Sequence, residues 1–136
     1  MIKQNIVFVE NKAGSLKRVT GMLANNNINI YGFACFDAPE FAIFRMICDD
    51  PDKAEIILNQ SGYMNRITQA IVVDMKDQVG GLDELLKIMA DSNVSLDYIY
   101  TSFHRKDLRP VVILHSEDIT VTESVLKNNG FKVFSA

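Results

Sequence analysis

The chain has 136 residues, 48% of them hydrophobic and 23% charged, a composition that builds a packed core and excludes a disordered segment. Its net charge of −3 leaves no basic excess to neutralise a phosphate backbone, which excludes nucleic acid as a partner. No apolar run is long enough to span a bilayer, since the longest, residues 42–48, is interrupted by Arg45; no membrane association is expected.

In chain order, Ile6-Val7-Phe8-Val9 is an unbroken β-prone run, preceded by a mixed stretch from Ile2 to Asn5. Polar residues and Gly14 follow. Leu16, Val19 and Leu23 then recur at helical spacing and share one face. The Asn25-Asn26-Asn27 cluster ends this helix, because Asn tolerates the left-handed conformation found just beyond helix ends. Residues 28–36 read as a strand, 37–40 as a turn and 41–48 as a strand that forms a hairpin with the second. Pro51, flanked by Asp residues, suits the first turn of a second helix. Ala54, Ile57 and Leu58 give that helix its buried face, and Gly62 closes it. Residues 67–75 carry the last strand of one unit, the first of the next, or both in succession.

The same plan then repeats. Leu82, Leu85, Leu86 and Met89 predict a helix face, residues 94–103 a strand and 104–108 a turn. A strand over 111–114 follows Pro110, then a helix over 120–129 closed by Gly130, and a final strand over 131–134. Residues 6–30 superpose on residues 72–96 without a gap at an offset of 66: Val7 on Val73, Gly14 on Gly80, Leu16 on Leu82, Ala24 on Ala90 and Asn27 on Asn93. The chain is one βαββαβ unit written twice, with expected domains at 1–67 and 68–136 and a junction within residues 62–70. The class is α+β: antiparallel four-stranded sheets, each with its helices on one face.

The two cysteines, Cys35 and Cys48, are expected at opposite ends of one hairpin, too far apart for a disulfide. With no signal-peptide pattern at the start, the expected location is cytoplasmic. His104 and His115 lack partners at metal-ligand spacing, and no phosphate-loop or hydrolase motif occurs, so no metal, cofactor or catalytic residue is expected. Arg45 within its apolar strand is read as structural, and so are the aromatic pair Tyr98 and Tyr100.

The chemistry is expected in the loop after the first strand of each unit. Asn11 and Asp77 each stand three residues before a Gly that opens a helix, Gly14 and Gly80. A helix N-terminus offers amide donors and partial positive charge to a carboxylate. Gly lets a backbone approach closely, and the Asn or Asp oxygen can accept from an ammonium. Together these describe a site for a free α-amino acid. The alternative is that Asn11 and Asp77 merely cap the helices that follow.

Asn11-x-Ala13-Gly14-x-Leu16 with Asn29-Ile30, and Asp77-x-Val79-Gly80-x-Leu82 with Ser95-Leu96, resemble the loop and second-strand motifs of ACT domains, ferredoxin-like modules that regulate amino-acid metabolism. The resemblance covers essentially the whole chain, and the pair is similar to free-standing tandem ACT proteins. It implies a ligand held at interfaces between modules by Asn11, Lys12, Ala13, Gly14, Ser15, Leu16 and Asn29, and by Asp77, Gln78, Val79, Gly80, Gly81, Leu82 and Ser95. It departs from the family where Ala13 and Val79 replace the usual Pro, and where Ser95 replaces Asn. The resemblance implies a non-catalytic regulator with a free amino acid as ligand, a homodimer, and an enzyme regulated in trans. Two other readings stand beside it: a protein–protein interaction module without a ligand, and an enzyme on the same scaffold.

Overall fold

The computed structural model describes residues 1–135. These form two compact units, one spanning Lys3–Thr68 and the other Met1–Ile2 with the chain from Gln69 onward.

The first unit contains β1 (Ile2–Glu10), α1 (Ser15–Asn25), β2 (Ile30–Asp37), β3 (Phe41–Cys48), α2 (Pro51–Gln60) and the start of β4 (Asn65–Asp74). Its strand order is β2-β3-β1-β4, with β3 antiparallel to both β1 and β2. Val7, Val9, Phe44 and Met46 from the sheet meet Val19 and Leu23 of α1 and Ala54 and Leu58 of α2 in one buried cluster. Asp50 caps α2 by accepting from the Lys53 amide at 3.1 Å, and Pro51 occupies the first turn as expected. Asn5, buried within β1, donates from Nδ2 to the Pro51 carbonyl at 3.0 Å and ties the sheet to the start of α2.

The second unit continues with the rest of β4, then α3 (Gly81–Asp91), β5 (Leu96–Phe103), β6 (Pro110–Ser116), α4 (Ile119–Asn128) and β7 (Val133–Phe134). Its strand order is β5-β6-β4-β7, antiparallel throughout. Its core gathers Ile71, Val73, Val112 and Leu114 from the sheet with Leu85, Met89 and Leu126 from the helices. Each unit is therefore a ferredoxin-like βαββαβ sandwich with the same strand order.

Three local differences from the sequence reading have clear causes. The junction is a single strand, β4, whose residues up to Thr68 belong to the first unit and whose residues from Gln69 belong to the second. The second strand of each unit starts two residues late, because Asn27 (φ 59°) and Asn93 (φ 55°) turn left-handed after the helix. There the Ile28 and Val94 amides return to the Leu23 and Met89 carbonyls at 3.0 and 2.9 Å. On α3, Leu85 and Met89 are buried, but Leu82 and Leu86 are 45% and 36% exposed, so the apolar face is narrower than its spacing suggests.

The cysteines lie at opposite ends of the β2–β3 hairpin, Cys35 opposite Phe44 and Cys48 opposite Ile30, and both are free. Among the described residues, no helix is long and apolar enough to cross a membrane.

Candidate functional site

In the first unit the chain leaves β1 at Glu10 and turns back over its own end. The Lys12 amide donates to the Glu10 carbonyl at 3.0 Å and the Ser15 amide to the Lys12 carbonyl at 3.2 Å. Gly14 then caps α1 in the left-handed conformation, φ 83°, where a β-carbon would be strained. No side chain caps this helix, and its first turn carries no acidic residue. The amides of Leu16 and Lys17 have no acceptor within the helix. Asn11 is therefore not a cap. Its Nδ2 donates to the Ala38 carbonyl in the β2–β3 turn at 3.2 Å, which ties the loop to that turn. Lys12 pairs with Glu10 at 2.6 Å on the surface, and this hydrogen bond, with the Lys12 charge behind it, holds the Glu10 carboxyl below its ordinary range. Ser15 is buried and its Oγ has no hydrogen-bond partner, a state that costs about 1–3 kcal/mol when left unsatisfied. Leu16 packs against the core.

The second loop shares the backbone plan but differs in chemistry. Gly80 caps α3 at φ 84°, again with no side-chain cap, so Asp77 is not a capping residue either. The Gln78 amide donates to the Lys76 carbonyl at 2.9 Å and the Gly81 amide to the Gln78 carbonyl at 3.0 Å. The loop lies so close to the helix that a β-carbon on Gly81 would sit 2.1 Å from the Lys76 carbonyl oxygen. Asp83 and Glu84 already occupy the first turn of α3, and Lys76 pairs with Glu84 at 3.0 Å. The positive end of α3 thus meets carboxylates of its own first turn, whereas the first turn of α1 carries none. Val79 is fully exposed, and Leu82 is partly so.

The structure does not bring the loop and second-strand residues together within a unit. Glu10 pairs with Phe41 at one end of β3, and Ile30 pairs with Cys48 at the other. Seven strand residues at roughly 3.3 Å each put Asn29 about 23 Å from the Asn11 loop. Asn29 is fixed at that far end by its backbone, donating to Asp49 Oδ1 at 3.0 Å and accepting from the Asp49 amide at 3.1 Å. Ser95 is likewise remote from Asp77, since it precedes Leu96, which pairs with Ser116 at the end of β6 opposite Pro110. It lines a cleft of about 620 Å³ with Asn93 and Asp118.

Arg18 and Tyr63, on which the sequence offered no reading, line a cleft beside the first loop together with Glu10 and Ser15. At the offset of 66 the counterparts of Glu10 and Arg18 are Lys76 and Glu84, a double reversal of charge. Among the described residues no group of three or more His, Cys, Asp or Glu side chains is placed to hold a metal ion. The histidines serve as surface partners, His104 Nδ1 lying 3.0 Å from Asp107 and His115 Nδ1 lying 2.8 Å from Asp97, with the His115 ring stacked on Tyr98.

The architecture and loops agree with what comparison with known proteins finds. No curated protein matches the chain. A solved structure of a protein from Bacteroides thetaiotaomicron is similar at 28% identity and a TM-score of 0.88, covering 98% of this chain and 91% of that one. The ligand-free regulatory subunit of aspartate kinase from Thermus thermophilus shares the fold at 14% identity and a TM-score of 0.64, covering 94% of this chain and 91% of that one. Its counterpart from Thermus flavus does so at 15% identity and 0.62, covering 92% and 88%. The sequence profile of the ACT domain pair matches residues 1–134, and the chain belongs to that family.

Proposed function

We propose that this protein is a non-catalytic regulator that binds a free amino acid at ACT-domain interfaces and relays its level to an enzyme of amino-acid metabolism. The carrying observation is the start of α1. Gly14 leaves its amides without a side-chain cap or an acidic residue in the first turn, and Asn11, three residues earlier, is tied to Ala38. A ligand carboxylate suits those amides, and a ligand ammonium suits the Asn11 oxygen. Lys12, Ala13, Ser15 and Leu16 supply the rest of that loop.

Asn29 lies at the far end of the same sheet, so it and Asn11 can share one ligand only across an interface. A second copy of the chain supplies that partner surface, which makes the working form a homodimer in the cytoplasm. The corresponding set in the second unit is Asp77, Gln78, Val79, Gly80, Gly81, Leu82 and Ser95. There Asp77, Asp83 and Glu84 crowd the helix start with negative charge, so the first unit is the stronger site.

The fold shared with the Thermus aspartate kinase regulatory subunits supports a regulatory role and an enzyme partner in trans. Binding shifts one packing arrangement over another by its difference in affinity, about 1–3 kcal/mol in coupled systems of this kind. Calorimetric titration with amino acids tests the reading. It predicts that Asn11→Ala weakens binding about tenfold or more and that Asp77→Ala weakens it less. Equal affinity in wild type and Asn11→Ala would remove the loop from the site.

A further inference from the structure

The cleft of about 620 Å³ in the second unit lies between the end of α3, the chain that leads into β5 and the start of α4. Ser92, Glu117, Asp118, Ile119 and Val121 are among its lining residues. Ser92 is the C-cap of α3, and the last turn of that helix carries no basic residue to balance its negative end. Glu117 is exposed and adds a carboxylate. Ile119 and Val121 supply apolar wall, and Val121 is 49% exposed.

The internal duplication gives the first unit's solution at the same place. Asn26, 66 residues before Ser92, is the C-cap of α1, whose last turn likewise carries no basic residue. Both units keep an acidic pair before the following helix, Asp49-Asp50 in one and Glu117-Asp118 in the other. Asp50 and Asp118 are the N-caps of α2 and α4, and each accepts from the amide three residues on, Lys53 and Val121, at 3.1 Å. Lys53 and Val121 are therefore equivalent positions. In the first unit Lys53 Nζ donates to the Asn26 carbonyl at 2.7 Å, so a butylammonium group carried on α2 closes the end of α1. In the second unit Val121 is too short to reach that far and has no donor to offer. The helix end and the carboxylates are kept there, and the tethered ammonium is not.

We propose that this cleft binds a small aliphatic amine. Its ammonium meets the Ser92 carbonyl and the Glu117 carboxylate, and its carbon chain lies against Ile119 and Val121. The volume falls in the range of small-molecule sites, about 300–1,000 Å³. The lining residues include no Lys, Arg or His, and the start of α4 is already capped by Asp118 Oδ1. The chemistry therefore suits an amine without a carboxylate and not an α-amino acid. The inference stands apart from the interface site, because Ser92, Glu117, Ile119 and Val121 belong to neither ligand loop.

The test is an NMR titration of the full chain with n-butylamine and with 1,4-diaminobutane, following the amides of Ser92–Ser95. The expected result is a saturable shift there that persists in Asn11→Ala and weakens about threefold in Glu117→Gln, the scale of one exposed ion pair. Val121→Lys, at an exposed position, restores the first unit's tethered ammonium and is expected to abolish the response. A response in Val121→Lys equal to that of wild type would overturn the proposal. So would equal shifts with n-butanol, which keeps the chain and lacks the charge, or with potassium chloride at the same ionic strength. No saturable shift with millimolar amine would overturn it too. A response to Nα-acetyl-lysine methylamide alone would overturn it in favour of a lysine side chain from another protein.

Discussion

At the residue scale, the proposed function turns on what stands at the start of two equivalent helices. Gly14 and Gly80 cap them identically, with no help from a side chain. One position later the units diverge, Ser15 in one and Gly81 in the other. Gly81→Ala places a β-carbon against the Lys76 carbonyl, and a backbone atom yields poorly, so the expected cost is about 1–3 kcal/mol in urea denaturation. A cost near zero would show that the second loop is looser than its contacts imply. The loop motifs were legible because the same polar-x-x-Gly spacing occurs twice and Gly has few other reasons to precede a helix. The capping alternative for Asn11 and Asp77 was equally consistent with that spacing, and only the backbone geometry removes it. The sequence carried no reading of Arg18, because an exposed Arg on a helix reads as a solvated face; its counterpart Glu84 is paired with Lys76.

At the element scale, period and breakers placed the helices and most strands within two residues. Pro51, the Asn25–Asn27 cluster and the 3.6-residue spacing each reflect a local preference that the fold keeps. The width of an apolar face is a different matter, because it depends on what lies opposite. The spacing of Leu82, Leu85, Leu86 and Met89 treats all four alike, yet only Leu85 and Met89 are buried. Leu85→Ala is therefore expected to cost about 2–5 kcal/mol through the cavity it leaves, and Leu82→Ala less than about 1 kcal/mol. Equal costs in urea melts would mean that Leu82 is covered in solution. The junction was undecidable from sequence for a related reason. A ten-residue strand and two short strands in succession have the same composition, and the pairing partners that distinguish them, Val112 and Ile113 of β6 among them, lie far along the chain.

At the scale of the whole molecule, duplication gives two cores of similar design and two loops of unequal chemistry. The first two residues join the second unit, where the Met1 amine meets Glu123 Oε2 at 3.1 Å. That hydrogen bond, with Lys127 adding a second, holds the Glu123 carboxyl below its ordinary 4.5. A depressed folded value means that the contribution is fully present above about pH 4.5 and is lost as pH falls through the lower, folded value. Glu123→Gln should lower stability at pH 7 and show a shallower loss on acidification, read from urea melts at about pH 7 and about pH 3.5. An acid limb as steep as wild type would assign the effect to other carboxylates.

The central claim, that the protein senses a free amino acid, is tested most directly by a thermal-shift screen against the twenty amino acids. Saturation at about a hundred times Kd adds roughly 2.7 kcal/mol to the native state, which raises Tm by several degrees. The account predicts a selective rise with one amino acid or a few chemically related ones, reduced in Asn11→Ala. A flat response to all twenty, from a protein that melts cooperatively, would contradict it.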